Sequence, residues 1–373
     1  MKYILINTLE TTFPRVLTNE FTVLQTYQNI DNEKSSILYV NDQRFKEIIK
    51  IQNPNFNGGG LLQNKLYYIE GQGVAYEIDL VTNQHKLFLK DEFIGLEGFV
   101  DNKIIINNHS EKTKSQRTII GNDFMAMVNS ESHEIVWTTK NLFYGNFLYD
   151  EKSIYAEDFN GSLLRCISKE TGEDIWQFSI KELGRYEPQD ESGKFQDGLI
   201  NRLITIYQNL LLIQISSFRV IALYTQTGKL IWMIDDFRKF LPEKIYSEIR
   251  WDTNEDIKRG QSSNWHIIPE INKMYLCWFM FVFEVDLLTQ ECVIIHNKYP
   301  VGIPFGESER VEKLIYFIGN NQNYCGIFDL NIRKIIWSFT HPQKVLFSEL
   351  WVNEDKIYLR DWNDNLLILE REE

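Results

Sequence analysis

With 373 residues, 43% of them hydrophobic and 14% aromatic, the chain has ample material for a packed core, which excludes intrinsic disorder as its organising state. A formal net charge of −13 argues against nucleic acid and anionic membrane as partners, because binding either requires clustered Lys and Arg. No stretch approaches the ~18 apolar residues of a membrane span, and the start MKYILINTLETTFPRV lacks a secretory h-region and cleavage site, so a cytoplasmic location is expected.

Taken in order, Lys2 to Ile6 reads as a strand, and Phe21 to Tyr27, Ile37 to Val40 and Phe45 to Ile51 read as three more. From there on, a turn that opens an apolar strand recurs at Asn64, Asn102, Lys152, Asn209, Asn272, Lys313 and Asp355. A second stretch of nine residues alternates with it: Asp79 to Leu87 (DLVTNQHKL), Asn129 to Trp137 (NSESHEIVW), Ser168 to Trp176 (SKETGEDIW), Tyr224 to Trp232 (YTQTGKLIW), Asp286 to Ile294 (DLLTQECVI) and Asp329 to Trp337 (DLNIRKIIW). Each copy reads as a strand end, a tight turn and a returning strand.

The residue choices have physical reasons. Asp, Asn or Ser at a strand end can accept backbone N–H bonds two residues on and start a turn. Gly172 and Gly228, with Asn83 in the equivalent place, can take the positive φ that the turn needs. Trp137, Trp176, Trp232 and Trp337 each bring a large apolar face and one N–H donor to the returning strand, a means of joining neighbouring units.

Self-similarity at this period, with about four strands per unit, predicts an all-β propeller of four-stranded antiparallel blades. The last unit runs out after three strands, and Lys2 to Ile6 is the spare strand that would complete it and close the ring by pairing the two termini. The count is eight blades, or seven if the degenerate first unit is discounted. The whole chain then forms one domain, with a loop and helix insertion at about 235–266.

The Thr171-Gly172 pair followed by Trp176, and Thr227-Gly228 followed by Trp232, resemble the tryptophan-docking repeat of quinoprotein-type (PQQ-like) β-propellers. The resemblance implies the ring fold. Quinoprotein dehydrogenases also carry a vicinal cysteine pair over their cofactor; here Cys166, Cys277, Cys292 and Cys325 are scattered, and no cofactor is expected. The same scatter, and six histidines without HxH or HExxH spacing, give no metal site.

No catalytic residue is singled out either. The polar stretch at 107–123 reads as a long solvated hairpin tip, with a partner contact as the alternative, and that at 181–198 as a flexible surface loop or a lid over one face of the ring. The insertion after Trp232 is the richest candidate: Pro242 can open a short helix, and Arg250, Trp251, Arg259, Trp265 and His266 bring residue types enriched at binding hot spots. The reading is a monomeric, non-enzymatic protein-binding propeller. Its partner would be a protein, in one version a basic one neutralised by an acidic immunity or inhibitor protein. An enzyme of hydrolase or lyase type with its site in the central funnel is the alternative.

Overall fold

The computed structural model describes residues 2–18, 20–30, 33–42, 46–52, 55–70, 74–90, 94–108, 124–140, 147–158, 160–185, 197–216, 219–248, 264–278, 280–298, 305–319 and 322–372. Its strands form eight four-stranded antiparallel sheets, and the count of blades is therefore eight. The first strands of blades 1 to 8 are Thr12–Leu17, Asn55–Leu62, Ile94–Val100, Leu148–Tyr149, Ile200–Tyr207, Trp265–Ile268, Phe305–Val311 and Phe347–Asn353. In each blade the strands follow one another as a meander.

Blade 8 is the exception that closes the ring. Its own chain supplies Phe347–Asn353, Lys356–Asp361 and Leu366–Arg371, and the N-terminal strand Tyr3–Leu9 adds the fourth, running antiparallel from Tyr3 opposite Arg371 to Leu9 opposite Leu366. The Tyr3 ring packs 5.2 Å from that of Trp337 in blade 7, and its hydroxyl meets that of Tyr316 at 3.2 Å. Blade 1 contains a strand that the sequence pattern did not mark, Thr12–Leu17; Pro14 within it is tolerable because an innermost strand is an edge.

First strands of neighbouring blades touch one another between blades 1 and 2, 2 and 3, 4 and 5, and 7 and 8, which places them around the axis. Second and third strands are buried on both faces, as in Leu210–Ile215 and Arg219–Tyr224, while fourth strands such as Ile135–Thr139 alternate at the rim. Apolar clusters fill the wedges between blades. Tyr207, Leu212 and Ala222 of blade 5 pack with Trp265, Leu276 and Phe283 of blade 6 in one of them.

The turns behave as their residues predict. Oδ1 of Asp79 accepts the amides of Val81 (2.9 Å) and Thr82 (2.8 Å), and Asn129, Asp286 and Asp329 do the same for residues two and three further on. Gly172 and Gly228 have φ of +72° and +69°, and His133, Gln290 and Arg333 take the same left-handed conformation despite their side chains.

That turn position is where each blade meets the one before it, and two kinds of joint occur. Trp137 lies over Gly172 and donates its indole N–H to the Lys169 carbonyl (3.1 Å); Trp176 lies over Gly228 and donates to the Thr225 carbonyl (2.7 Å). In the other kind a carboxylate of the third strand, held by a lysine of its own blade, reaches the side chain at the left-handed turn position. Glu77 lies 3.0 Å from Lys65 and 3.5 Å from His133, and Glu284 lies 3.6 Å from Lys273 and 3.9 Å from Arg333. In the blade carrying Glu77 it is Phe88, not Leu87, that packs against the next turn, edge-on to His133 at 4.9 Å; Leu87 is 53% exposed.

Candidate functional site

A four-strand meander puts its first and third turns at one end of the blade, and its second turn and the passage to the next blade at the other. At the first end no connection exceeds five residues. Every longer connection leaves from the second end: 109–123 within blade 3, and 140–147, 180–199, 235–264, 298–304 and 341–346 between blades. The ring therefore has one closely trimmed face and one elaborated face, and polar side chains of the innermost strands gather near the elaborated one.

Strand alternation explains the gathering. On Phe305–Val311, Glu307 and Glu309 point one way, and the Glu309 carboxylate accepts the Val352 amide of blade 8 at 2.6 Å, while Glu307 accepts that of Leu350. These amides belong to the inner edge of blade 8, where no further strand could pair them, so the carboxylates serve as caps. Ser308 points the other way, to His266 Nε2 of blade 6 at 2.8 Å.

Charge is unevenly compensated there. Glu349 of blade 8 is held by Arg360 at 2.8 Å, and Arg360 also binds Asp364. Glu307 is exposed, yet the surrounding strands exclude much of the bulk solvent; this desolvation, with Glu349 and Glu309 nearby, pushes its carboxyl up to about 7, against opposing pulls from the Leu350 amide and, less, from Arg202 of blade 5. Burial first, then Arg310 and Arg202, pushes His266 down to about 3, so it is a neutral ring at physiological pH. Further along the axis, Pro14, Arg15, Leu17, Glu309, Trp351 and Val352 line a cavity of about 170 Å³. The arrangement can hold and release a proton at Glu307 and can receive a cationic or hydrogen-bonding group.

The residues expected at the insertion divide into two sets. Arg250, Trp251 and Arg259 lie outside the described residues. Trp265 and His266, expected on the insertion's surface, instead begin blade 6: each is 8% exposed, and Trp265 donates to Gln214 Oε1 at 2.7 Å. They brace the ring, because the blade pattern resumes at residue 265 and the insertion ends before it. Pro242 does precede a short helix, Glu243–Glu248, and Phe240 just before it is 39% exposed. Trp137, Trp176, Trp232 and Trp337 all sit at blade joints, with Gly172 and Gly228 beneath the first two.

Glu307, Glu309, Glu349 and Arg202 were not singled out in the sequence. Their signal is a charged residue at alternate positions of a strand that otherwise reads as core, and it has meaning only once that strand is known to line the axis. The four cysteines are buried, and burial raises each thiol, Cys166 to about 11 and Cys292 to about 12. Among the described residues no three His, Cys, Asp or Glu side chains stand where they could hold a metal, and no helix is long and apolar enough to cross a membrane.

No protein-family model matches the chain, and no curated protein is recognisably similar in sequence. Solved structures are similar in shape. Sqt1 of Saccharomyces cerevisiae matches with a TM-score of 0.62 at 8% identity, covering 100% of both chains. The C-terminal WD40 domain of Sif2 matches with 0.61 at 10% identity, covering 100% of this chain and 99% of that one. BamB from Moraxella catarrhalis matches with 0.57 at 9% identity, covering 99% and 100%. At such identities the likeness establishes the propeller fold alone.

Proposed function

We propose that this chain is a non-enzymatic binding protein, one cytoplasmic domain with an insertion at about 235–266, that presents its elaborated face to a protein partner. The observation carrying this reading is the asymmetry of the ring: every connection longer than five residues leaves from one face. A rigid scaffold that lengthens loops on one side only is the arrangement by which loops are used for recognition. Arg250, Trp251 and Arg259 fall in the longest of these connections and remain the proposed contacts there.

The net charge of −13 supports a basic partner, as for an acidic inhibitor or immunity protein, since complementary charge speeds encounter. The joints at Trp137 and Trp176 support kinship with the tryptophan-docking propellers, and the WD40 domain of Sif2 is a neighbour by shape. The test is affinity purification with the full chain and with a variant lacking 238–262, followed by reconstitution with the purified partner. A partner bound by the full chain and released by the deletion, with affinity falling as salt rises, is the expected result. Equal recovery by both, or salt-insensitive binding, removes the reading or its basic-partner version respectively.

A second reading, an enzyme with its site in the funnel, is favoured by the grouping of Glu307, Glu309 and Glu349 on innermost strands, where burial and the neighbouring carboxylates raise the Glu307 carboxyl to about 7 and suit it to take and give a proton. Turnover in a hydrolase and lyase screen that Glu307→Gln abolishes would establish it, and inertness of the wild type across that screen would remove it.

A further inference from the structure

Trp362 is 60% exposed, whereas every other described tryptophan is buried or half-buried. It stands on the turn between the second and third strands of blade 8, at the end of the ring from which the long connections leave. Among the described residues its ring packs against no other aromatic ring and no cation. An indole left in water forfeits one of the larger apolar burials a side chain can make.

The turn beneath it is held by hydrogen bonds from several directions. Asp361, 1% exposed, accepts the amides of Asn363 (2.8 Å) and Asn365 (2.9 Å) on Oδ1 and the Asn365 side-chain amide (3.0 Å) on Oδ2. His341 Nε2 lies 3.3 Å from the same carboxylate. The Trp362 amide donates to the Leu346 carbonyl (3.0 Å), and the Thr12 amide of blade 1 donates to the Asp364 carbonyl (3.0 Å). The backbone that carries the indole is therefore set before any partner arrives, which lowers the ordering cost of a contact.

Charge around the turn selects the occupant. Asp364 and Glu349, 49% and 38% exposed at their side chains, share the one guanidinium of Arg360, and Glu307 is within electrostatic reach of Glu349. Lys344 on the neighbouring connection offsets part of this. With the buried Asp361 counted, three carboxylates of this corner stand against Arg360 and Lys344, a formal excess of one negative charge in a chain of net charge −13.

We propose that Trp362 is the anchor of the binding face and receives a Lys or Arg side chain from a basic protein segment, stacked on the indole and flanked by Asp364 and Glu349. This rests on the binding-face reading and names its contact. An indole is the best aromatic surface for a cation, and Trp is among the residue types that dominate interface energetics.

The probe is a labelled twelve-residue Gly/Ser peptide bearing three Arg, with Leu and Glu counterparts, titrated by anisotropy onto the full chain at low and high salt. The Arg peptide is expected to bind best, to weaken about tenfold with Trp362→Ala and less with Trp362→Phe, and to weaken with salt. Thermal melts of the variants should match the wild type, since the side chain is mostly in water. Equal affinity of wild type and Trp362→Ala for the Arg peptide, or preference for the Leu peptide, overturns the inference. Neither result touches the binding-face reading, which the 238–262 deletion tests separately.

Discussion

The side-chain amide of Gln290 donates to the carbonyl of Leu287 at 3.3 Å, and that carbonyl is the counterpart in blade 6 of the ones that receive the indoles of Trp137 and Trp176. Trp232, the tryptophan facing this turn, has a buried Nε1 with no hydrogen-bond partner. Gln290 also stands at φ +62° where the preceding two turns have glycine. Gln290→Gly should free the acceptor and relieve the left-handed side chain, raising stability by about 1 kcal/mol. In that background Trp232→Phe should cost about 1 kcal/mol more than it does in the wild type. Denaturant melts of the four proteins measure the coupling, and additivity within error would show that the carbonyl and the indole are unrelated.

The glycines under Trp137 and Trp176 make a sharper case. A Cβ on Gly172 would stand 2.6 Å from Trp137 Cδ2, and one on Gly228 would stand 2.5 Å from Trp176 Cε3. Since backbone strain adds to the clash, Gly172→Ala and Gly228→Ala should each cost about 2–4 kcal/mol. Gly184 has a φ of +75° and nothing within 4 Å, but its ψ of 170° lies in the region open essentially to glycine alone, so Gly184→Ala carries backbone strain without a clash, about 1–3 kcal/mol. Losses at Gly172 and Gly228 no larger than the ~1–2 kcal/mol of left-handed backbone alone would mean that the indoles yield freely.

Much of the ring was legible because its turns are chemically specified. The acceptors Asp79, Asn129, Asp286 and Asp329, the glycines and the tryptophans each mark a place, and the spare strand at the start marks the closure. What escaped was register. In the blades of Trp137, Trp176, Trp232 and Trp337 the fourth strand's bulge falls just before the tryptophan; in those of Glu77 and Glu284 it falls just after Leu87 and Ile294, so Phe88 replaces Leu87 at the joint. A one-residue slip exchanges the faces of a strand and leaves no trace in composition. The axial carboxylates and Trp362 escaped for a related reason, as direction relative to the axis belongs to the closed ring and not to any one stretch.

The closure is the place where one strand decides the fate of the whole. Tyr3 is 5% exposed, touches both Trp337 and Tyr316, and belongs to the strand that completes blade 8. Tyr3→Ala should cost about 3–5 kcal/mol, comparable to removing a core aromatic. Tyr3→Phe should cost only about 1 kcal/mol, the hydroxyl contact with Tyr316. Hydrogen exchange should show the Tyr3–Leu9 amides opening first in Tyr3→Ala. Protection retained along that strand together with a small loss of stability would mean that the ring is held elsewhere.

Two axial groups give stability opposite dependences on pH. Glu307 is raised from 4.5 to about 7, so between those values the folded chain binds the proton more readily than the unfolded one, and stability falls as pH rises through that window. His266 is lowered from 6.5 to about 3, so its contribution is complete above 6.5 and is lost as pH falls toward 3. The wild-type profile between 4.5 and 6.5 is then a difference of two slopes, which single substitutions separate. Glu307→Gln should be more stable than the wild type at pH 8, with the gain shrinking to nothing near pH 4.5, while His266→Gln should blunt the acid limb. Urea melts across pH 4 to 8 measure both. A Glu307→Gln profile parallel to the wild type would show that this carboxyl is as well solvated as any on the surface, and the channel would then impose no charge selectivity through it.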